Sequence, residues 1–381
     1  MGFLAVSMCD DAITAAVVKD QHYEIMPYIE KLGRPATVAD LERNLPAILE
    51  KAADELGQRV KKLAIITPAG VSYAECLPLV KIAKENDISL CRQYHVTDAM
   101  ALYATRESKE KEEIRHPSAH LLFCYGESDH ISLALYYWSY ENRPVHPYSS
   151  VNLGGYLETL WHQKFGKEEP FSADSLKGLQ KELNKSDSPL CYIFTSGCSP
   201  LQRDIAAEIQ ACLGTTAAVI HLPPYAPLYG ALSYVKGMFV PPYGDILFLD
   251  CTFHSITLDA HVAPIELMGK DVTIPCETPK SICLIANRKV ALIVRQNGTI
   301  LMSAYYTAPE TAKYAFILEI EEDHSCSCKI ERDGKVLFTM KQGTNECEES
   351  FPALPVDYFY VEHLSAETLA PLMEQGNHPH D

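Results

Sequence analysis

The sequence predicts an α/β chain: two similar α/β lobes spanning residues 1–240, then an antiparallel β-rich part over residues 245–343. Three observations carry this reading. Strand, acidic turn and strand occur at the start of the chain and again after residue 119. Helical periodicity fades at Pro241-Pro242-Tyr243-Gly244, a linker by composition. Beyond it, short β-rich runs alternate with turn signals such as Asn297-Gly298 and Asp333-Gly334.

Phe3 to Asp20 holds two apolar runs around Ser7, Met8, Cys9, Asp10 and Asp11, which reads as a β-hairpin. Thr37 then caps a helix in which Val38, Leu41, Leu45, Ile48, Leu49 and Leu56 recur at helical spacing up to Gly57, with Pro46 as a local objection. Val60–Thr67 is a strand, and Tyr73–Asn86 a helix capped by Ser72. The polar run Arg106–Arg115 separates the lobes.

The plan repeats in His120–Phe123, the turn Gly126-Glu127-Ser128-Asp129, and Ile131–Trp138, as an internal duplication would. A helix beginning near Gly155, a polar stretch from Lys164 to Asp187, strand Leu190–Phe194 and helix Leu201–Cys212 follow, ending at the turn of Pro223, Pro224 and Pro227. The runs from ILFLD onward then build an antiparallel sandwich, and residues 344–381 form a tail.

Composition excludes several functions. With 33 Lys+Arg against 50 Asp+Glu, the net charge of -17 opposes nucleic acid and anionic membrane surfaces. The chain shows no membrane-spanning run and no secretory leader, so a cytoplasmic location is expected. The 13 cysteines lack C-x-x-C pairs and read as reduced thiols, while Pro117 between His116 and His120 breaks the helix a zinc pair would need. No G-x-S-x-G elbow surrounds Ser196, and no His/Asp arrangement serves Cys124 or Cys198.

Several motifs then fall in one order: Glu55-Leu56-Gly57-Gln58-Arg59-Val60, Ala64–Ala69, Leu153-Gly154-Gly155, Thr195–Ser199, Leu228–Ala231, Ile246–Thr252, Ser255–Asp259 and Val272–Pro275. In these the chain resembles the DnaK-type chaperones of the heat shock protein 70 family. The resemblance implies an actin-like (ribonuclease H-like) two-lobed domain followed by a peptide-binding β-sandwich.

The departures from that family bear on activity. Where the family's first hairpin carries an Asp, a Gly and Thr residues for magnesium and phosphate, this chain has Ser7, Cys9, Asp10 and Asp11. Like charges about 4 Å apart cost about 1 kcal/mol in water and more near a protein surface, so such a turn repels polyphosphate. The second turn keeps Gly126 but gains Glu127 and Asp129. Only 16 residues, Gln21 to Ala36, stand where the family inserts a subdomain with its catalytic lysine, and Gly155 to Leu190 is too short for the other upper subdomain.

The resemblance implies nucleotide contacts at Ser7, Cys9, Asp10, Asp11, Gly126, Glu127, Ser128, Gly154, Gly155, Gly197, Cys198 and Gly230. It places peptide contacts at Ala260, His261, Val262, Ala263, Lys280, Ser281 and Ile282, with too short a tail for a lid. The reading favours a chaperone-like scaffold that binds a polypeptide or protein partner without hydrolysis and has no catalytic residue. The alternative is a divergent ATPase using ATP or ADP with magnesium, the cation held by Asp10, Asp11, Glu127 and Asp129. Self-association into a homo-oligomer is a third expectation.

Overall fold

The computed structural model describes residues 1–9, 11–107, 114, 118–127, 130–139, 143–144, 152–153, 155–166, 172–197, 202–237, 246–259, 264–321 and 324–347. The chain divides into two compact units, Met1–Val71 with Pro78–Phe253, and Ser72–Leu77 with His254–Asp381. No helix among the described residues is long and apolar enough to cross a membrane.

The first sheet of unit 1 joins β1 (Gly2–Ser7), β2 (Ala12–Lys19), β3 (His22–Lys31), β4 (Val60–Thr67) and β5 (Leu90–His95). Its order is β3-β2-β1-β4-β5, an antiparallel meander extended by two strands parallel to β1. Three helices punctuate it: α1 (Val38–Leu56), α2 (Leu77–Glu85) and α3 (Val96–Arg106). α1 forms as its sequence requires. The Thr37 side chain accepts from Asp40 N, Asp40 returns the bond to the Thr37 backbone, and Gly57 closes the helix at φ 62°. Leu41, Leu45, Ile48 and Ala52 are buried, and the helix runs on through Pro46. Ser72 and Glu75 exchange the same reciprocal bonds, although the first turn is a 3-10 turn at Ala74–Cys76 and α2 starts only at Leu77.

The second sheet repeats this construction. Its strands are β6 (Ala119–Gly126), β7 (His130–Ser139), β10 (Gly155–Gly166), β11 (Leu190–Gly197), β12 (Ala218–His221) and β13 (Ile246–Leu249), and a short ribbon, β8 (Arg143–Pro144) with β9 (Asn152–Leu153), falls between β7 and β10 in sequence. The order β10-β7-β6-β11-β12 matches the first sheet strand for strand, and β13 is added in parallel beside β10. The helices α4 (Lys177–Leu183), α5 (Gln202–Leu213) and α6 (Ala226–Gly237) occupy the places of α1, α2 and α3. The duplication read from the two hairpins therefore extends through whole lobes.

Two expectations are corrected here. The segment from Gly155 is a strand, not a helix. Leu157, Trp161 and Phe165 are spaced as on a helix, but the register of β10 against β7 shifts between Thr159 and Trp161. This irregularity sends Leu157 into the inter-sheet core and Trp161 with Phe165 into the core under α5, so period-2 alternation is lost. The run ILFLD does not open the β-rich part: β13 pairs with Gly155–Glu158, and unit 1 continues to Phe253. The expected 241–244 linker and the 344–381 tail from residue 348 lie outside the described residues.

One continuous core runs from Phe3, Ala5 and Ile66 through α3 and α6 to Phe123, Trp138 and Phe194, the last stacked on Phe123 at 4.7 Å. The helices α3 and α6 cross at Gly230, where a Cβ would lie 1.9 Å from Ala99 O and 2.7 Å from Tyr103 N. Gly230 is thus a packing glycine at the α3–α6 crossing.

Unit 2 contains two antiparallel four-stranded sheets. One has the order β15-β14-β17-β18, from β14 (Ile256–Leu258), β15 (Ile265–Met268), β17 (Lys289–Gln296) and β18 (Thr299–Thr307). The other has the order β16-β19-β20-β21, from β16 (Cys276–Leu284), β19 (Ala312–Ile320), β20 (Cys326–Arg332) and β21 (Lys335–Lys341). The turn signals act as read: Asn297-Gly298 and Asp333-Gly334 both take positive φ at both positions and close two hairpins. Ser72–Leu77 joins this unit through Ala74 N to Gln296 Oε1 at 3.2 Å, Asn297 Nδ2 to Glu75 Oε2 at 3.4 Å, and Tyr73 stacked on His324 at 5.6 Å.

Replacing Gly230 by Ala drives a methyl group into the α3 backbone and is expected to cost about 3 kcal/mol or more, above the usual range for overpacking. The urea midpoint of the variant against the parent chain measures it.

Candidate functional site

The duplicated hairpins place their turns at equivalent ends of the two sheets. In the first, Ser7 closes β1 and is buried, Met8 N donates to Ile66 O at 3.0 Å, and Cys9 N donates to Ser7 Oγ at 3.4 Å. The Cys9 side chain is buried with its sulfur 4.0 Å from Ile66 O, and Asp11 O accepts from Leu32 N at 2.7 Å. The Asp11 side chain is exposed. The amides of Met8 and Cys9 are thus already bonded, the first to β4 and the second within the turn.

At the second hairpin the bonds of Glu127 flank the turn. Glu127 N donates to His130 O at 2.8 Å, and the buried Glu127 carboxylate accepts from Ser132 Oγ at 2.8 Å with Lys164 Nζ at 3.8 Å. Lys164 comes from β10 and lies across Gly70, its Cδ and Nζ 3.3 and 3.6 Å from where a Cβ on Gly70 would stand. Gly70, at φ 113°, leaves room for that side chain. Glu127 therefore faces a protein cation. Gly126 ends β6, Gly155 begins β10 in register with Ile246, and Gly197 ends β11 at φ 107°. Asp10, Ser128, Asp129, Gly154 and Cys198 lie outside the described residues, as do Ala260, His261, Val262 and Ala263.

A second constellation is buried between the lobes, and sequence reading missed it. Asp98 sits in the first turn of α3, where its Oδ2 accepts from His95 N at 3.1 Å and its Oδ1 accepts from Tyr136 Oη at 2.5 Å. Tyr136 stands on β7, and Asp250, just after β13, is buried and accepts from Cys251 N at 2.7 Å. Arg92 is buried on β5 with its guanidinium 5.1 Å from the Tyr94 ring and 5.3 Å from that of Tyr234. Burial, then the charge of Asp250, hold the Asp98 carboxyl well above the usual carboxylate range, against the opposing pull of Tyr136, His95 N and Arg92. With one guanidinium for two acids, a protonated Asp98 lets the cluster approach neutrality inside the core.

The available signals were faint. Arg92 and Tyr94 alternate with Gln93 in a strand that has no apolar run, and Asp250 ends ILFLD as a charge after four apolar residues. The described cysteines form no disulfide, and burial pushes the Cys124 thiol up, so it stays protonated and unreactive. In unit 2, Lys280, Ser281 and Ile282 lie on β16, which among the described residues is an edge strand paired with β19; Ser281 is exposed and Ile282 buried.

No family model matches this chain, and no curated protein does. Solved structures give distant likenesses. YeaZ from Pseudomonas aeruginosa is 12% identical over 62% of this chain and 95% of its own, with a TM-score of 0.31. ROK hexokinase from Thermus thermophilus is 12% identical over 61% of this chain and 98% of its own, with a TM-score of 0.37. A Bacteroides thetaiotaomicron protein with an actin-like ATPase fold and unknown function is 10% identical over 61% of this chain and 95% of its own, with a TM-score of 0.36. At such scores the likeness carries no argument here, and the strand order stands on its own.

Asp98→Ala is expected to cost about 2–4 kcal/mol, because the Tyr136 hydroxyl and His95 N–H lose their buried acceptor, and Asp98→Asn less. The pH dependence has a definite sign. A carboxyl raised above its unfolded value, about 3.9, contributes stability in full below that value and loses it as pH rises toward the folded value. Urea midpoints between pH 5 and 8 should therefore fall more steeply for the parent chain than for Asp98→Asn, and parallel slopes would refute the assignment.

Proposed function

We propose that this chain is a non-catalytic scaffold of actin-like type, related in plan to the heat shock protein 70 chaperones, which binds a polypeptide or protein partner without a nucleotide cycle. One observation carries the reading: at the second turn, the buried Glu127 carboxylate is paired with Lys164, whose side chain lies over Gly70. A carboxylate held there repels phosphate, and the cation that would offset the repulsion is already engaged. The committed amides of Met8, Cys9 and Glu127 point the same way.

The partner reading rests on unit 2. The edge strand β16 carries Glu277, Pro279 and Ser281 exposed on one face, a pattern suited to holding an extended chain through alternate side chains. Pro279 at the middle of that edge limits backbone pairing, so capture there depends on side chains and is short-lived. Lys164 also supports the second reading, a divergent ATP or ADP site with magnesium, if phosphate can displace Glu127 from it.

Thermal unfolding of the full chain separates the two. A ligand at 100 times its Kd adds about 2.7 kcal/mol of stability, a rise of several degrees. Millimolar ATP or ADP, with or without magnesium, is expected to leave the midpoint unchanged, and a nucleotide-specific rise that Lys164→Ala removes would establish the second reading instead. The partner half is tested by light scattering: the full chain should slow aggregation of a heat-unfolded model protein equally with and without ATP. No slowing at tenfold molar excess would exclude the chaperone role.

A further inference from the structure

A thiol and an imidazole meet in the interior of unit 1. Cys251 follows the end of β13 by two residues, His162 stands on β10, and both are buried. The parallel register of β13 on β10, with Leu249 opposite Glu158, carries Cys251 to that histidine, and its Sγ lies 3.9 Å from His162 Nδ1. Because 89 positions separate the two residues, no spacing motif announces the pair.

The pair has the dimensions of a metal site. Zinc takes sulfur at about 2.3 Å and imidazole nitrogen at about 2.0–2.1 Å, which at a tetrahedral angle sets the two ligand atoms about 3.6 Å apart. The observed separation exceeds this by about 0.3 Å, so an ion fits between them with little movement of either chain. Neighbouring rings enclose the imidazole: Phe253 packs edge-on against His162 at 4.0 Å, and His95, which ends β5 in the first sheet, lies 6.2 Å from it between centroids. Two imidazoles on one zinc ion keep their centroids within about 6.4 Å, so His95 is in range of a third position.

Charge and ligand type select the ion. Asp250 precedes Cys251 and accepts from its N–H at 2.7 Å, and Asp98 accepts from His95 N at 3.1 Å. These two buried acids share the guanidinium of Arg92, an arrangement that favours a further cation beside them. Thiolate and imidazole suit zinc, whereas magnesium and calcium take oxygen ligands.

We propose that Cys251 and His162, with His95 in range of a third position, form a binding site for one divalent cation of the zinc class. The ion displaces the thiol proton to solvent and ties the chain beyond β13 to β10. The site is separate from the turns and from β16, so it stands or falls independently of the reading above.

Metal binding by the full chain, stripped with chelator and kept reduced, tests it. Equilibrium dialysis against micromolar zinc is expected to leave one retained equivalent per chain, which millimolar magnesium does not displace. Cobalt(II) in its place should give a thiolate-to-cobalt charge-transfer band in the near ultraviolet, which zinc then bleaches. Cys251→Ala should abolish the band, and His162→Gln should weaken zinc binding by about tenfold or more, with unchanged far-UV circular dichroism. Zinc should raise the thermal midpoint of the parent chain and leave that of Cys251→Ala where it was. If Cys251→Ala does not fold, the near-isosteric Cys251→Ser decides. Absence of retained zinc, absence of the cobalt band, or a band that the Cys251 substitution leaves intact overturns the proposal, since the last outcome puts the metal on other thiols.

Discussion

The close approach of α3 and α6 at Gly230 is the constraint on which unit 1 depends. Each helix ends one copy of a duplicated βββαβαβα plan, and each is the element its lobe turns toward the other. With no Cβ at Gly230, the backbones meet, and the apolar side chains of both helices and both sheets merge in one core. A wider crossing would separate Phe3 and Ile66 from Phe123 and Trp138, leaving two half-cores too thin to exclude water. The position of both hairpin turns, and of the acid cluster between the lobes, follows from this crossing.

That geometry also explains how charged groups persist in the interior. Asp98 is tied to the α3 backbone by the same bond that caps the helix, so removing the carboxyl group would also weaken the helix end that carries it. Tyr136 reaches the cluster from β7 and Asp250 from the end of β13, two strands of the second sheet separated by β10, and Arg92 from the first sheet. A polar network whose members come from both copies favours one mutual orientation of the lobes, because a slipped packing would strand a guanidinium or a carboxylate in hydrocarbon.

Local signals were legible where one short segment decides the outcome. Thr37 with Asp40, Gly57, Asn297-Gly298 and Asp333-Gly334 each fix backbone geometry by their own chemistry, and all act as their sequence implies. The hairpin at Phe3–Asp20 and its repeat exposed the duplication through turn residues alone. Illegible parts depend on partners distant in sequence. β3 buries Met26 but carries exposed Glu24 and Ile25, as an edge strand does, and therefore showed no alternation. β10 disguised itself through a register shift, and β13 looked like its β-rich neighbours although its pairing partner is nearly a hundred residues upstream. In the candidate site, the acids of the turns were visible, but Lys164 was not, since nothing in its own segment marks it as the cation for Glu127.

The placement of Ser72–Leu77 in unit 2 makes that unit discontinuous along the chain. During synthesis these six residues emerge long before Gln296, Asn297 and His324, their eventual partners, so the ring stack of Tyr73 on His324 must wait while more than two hundred residues are made. Unit 2 is thus not a portable cassette: a gene fragment starting at His254 encodes its sheets but omits the donor to Gln296 and the ring stacked on His324. Evolution by shuffling whole segments is closed to it for the same reason, and any exchange of this unit between proteins would have to carry both pieces at once.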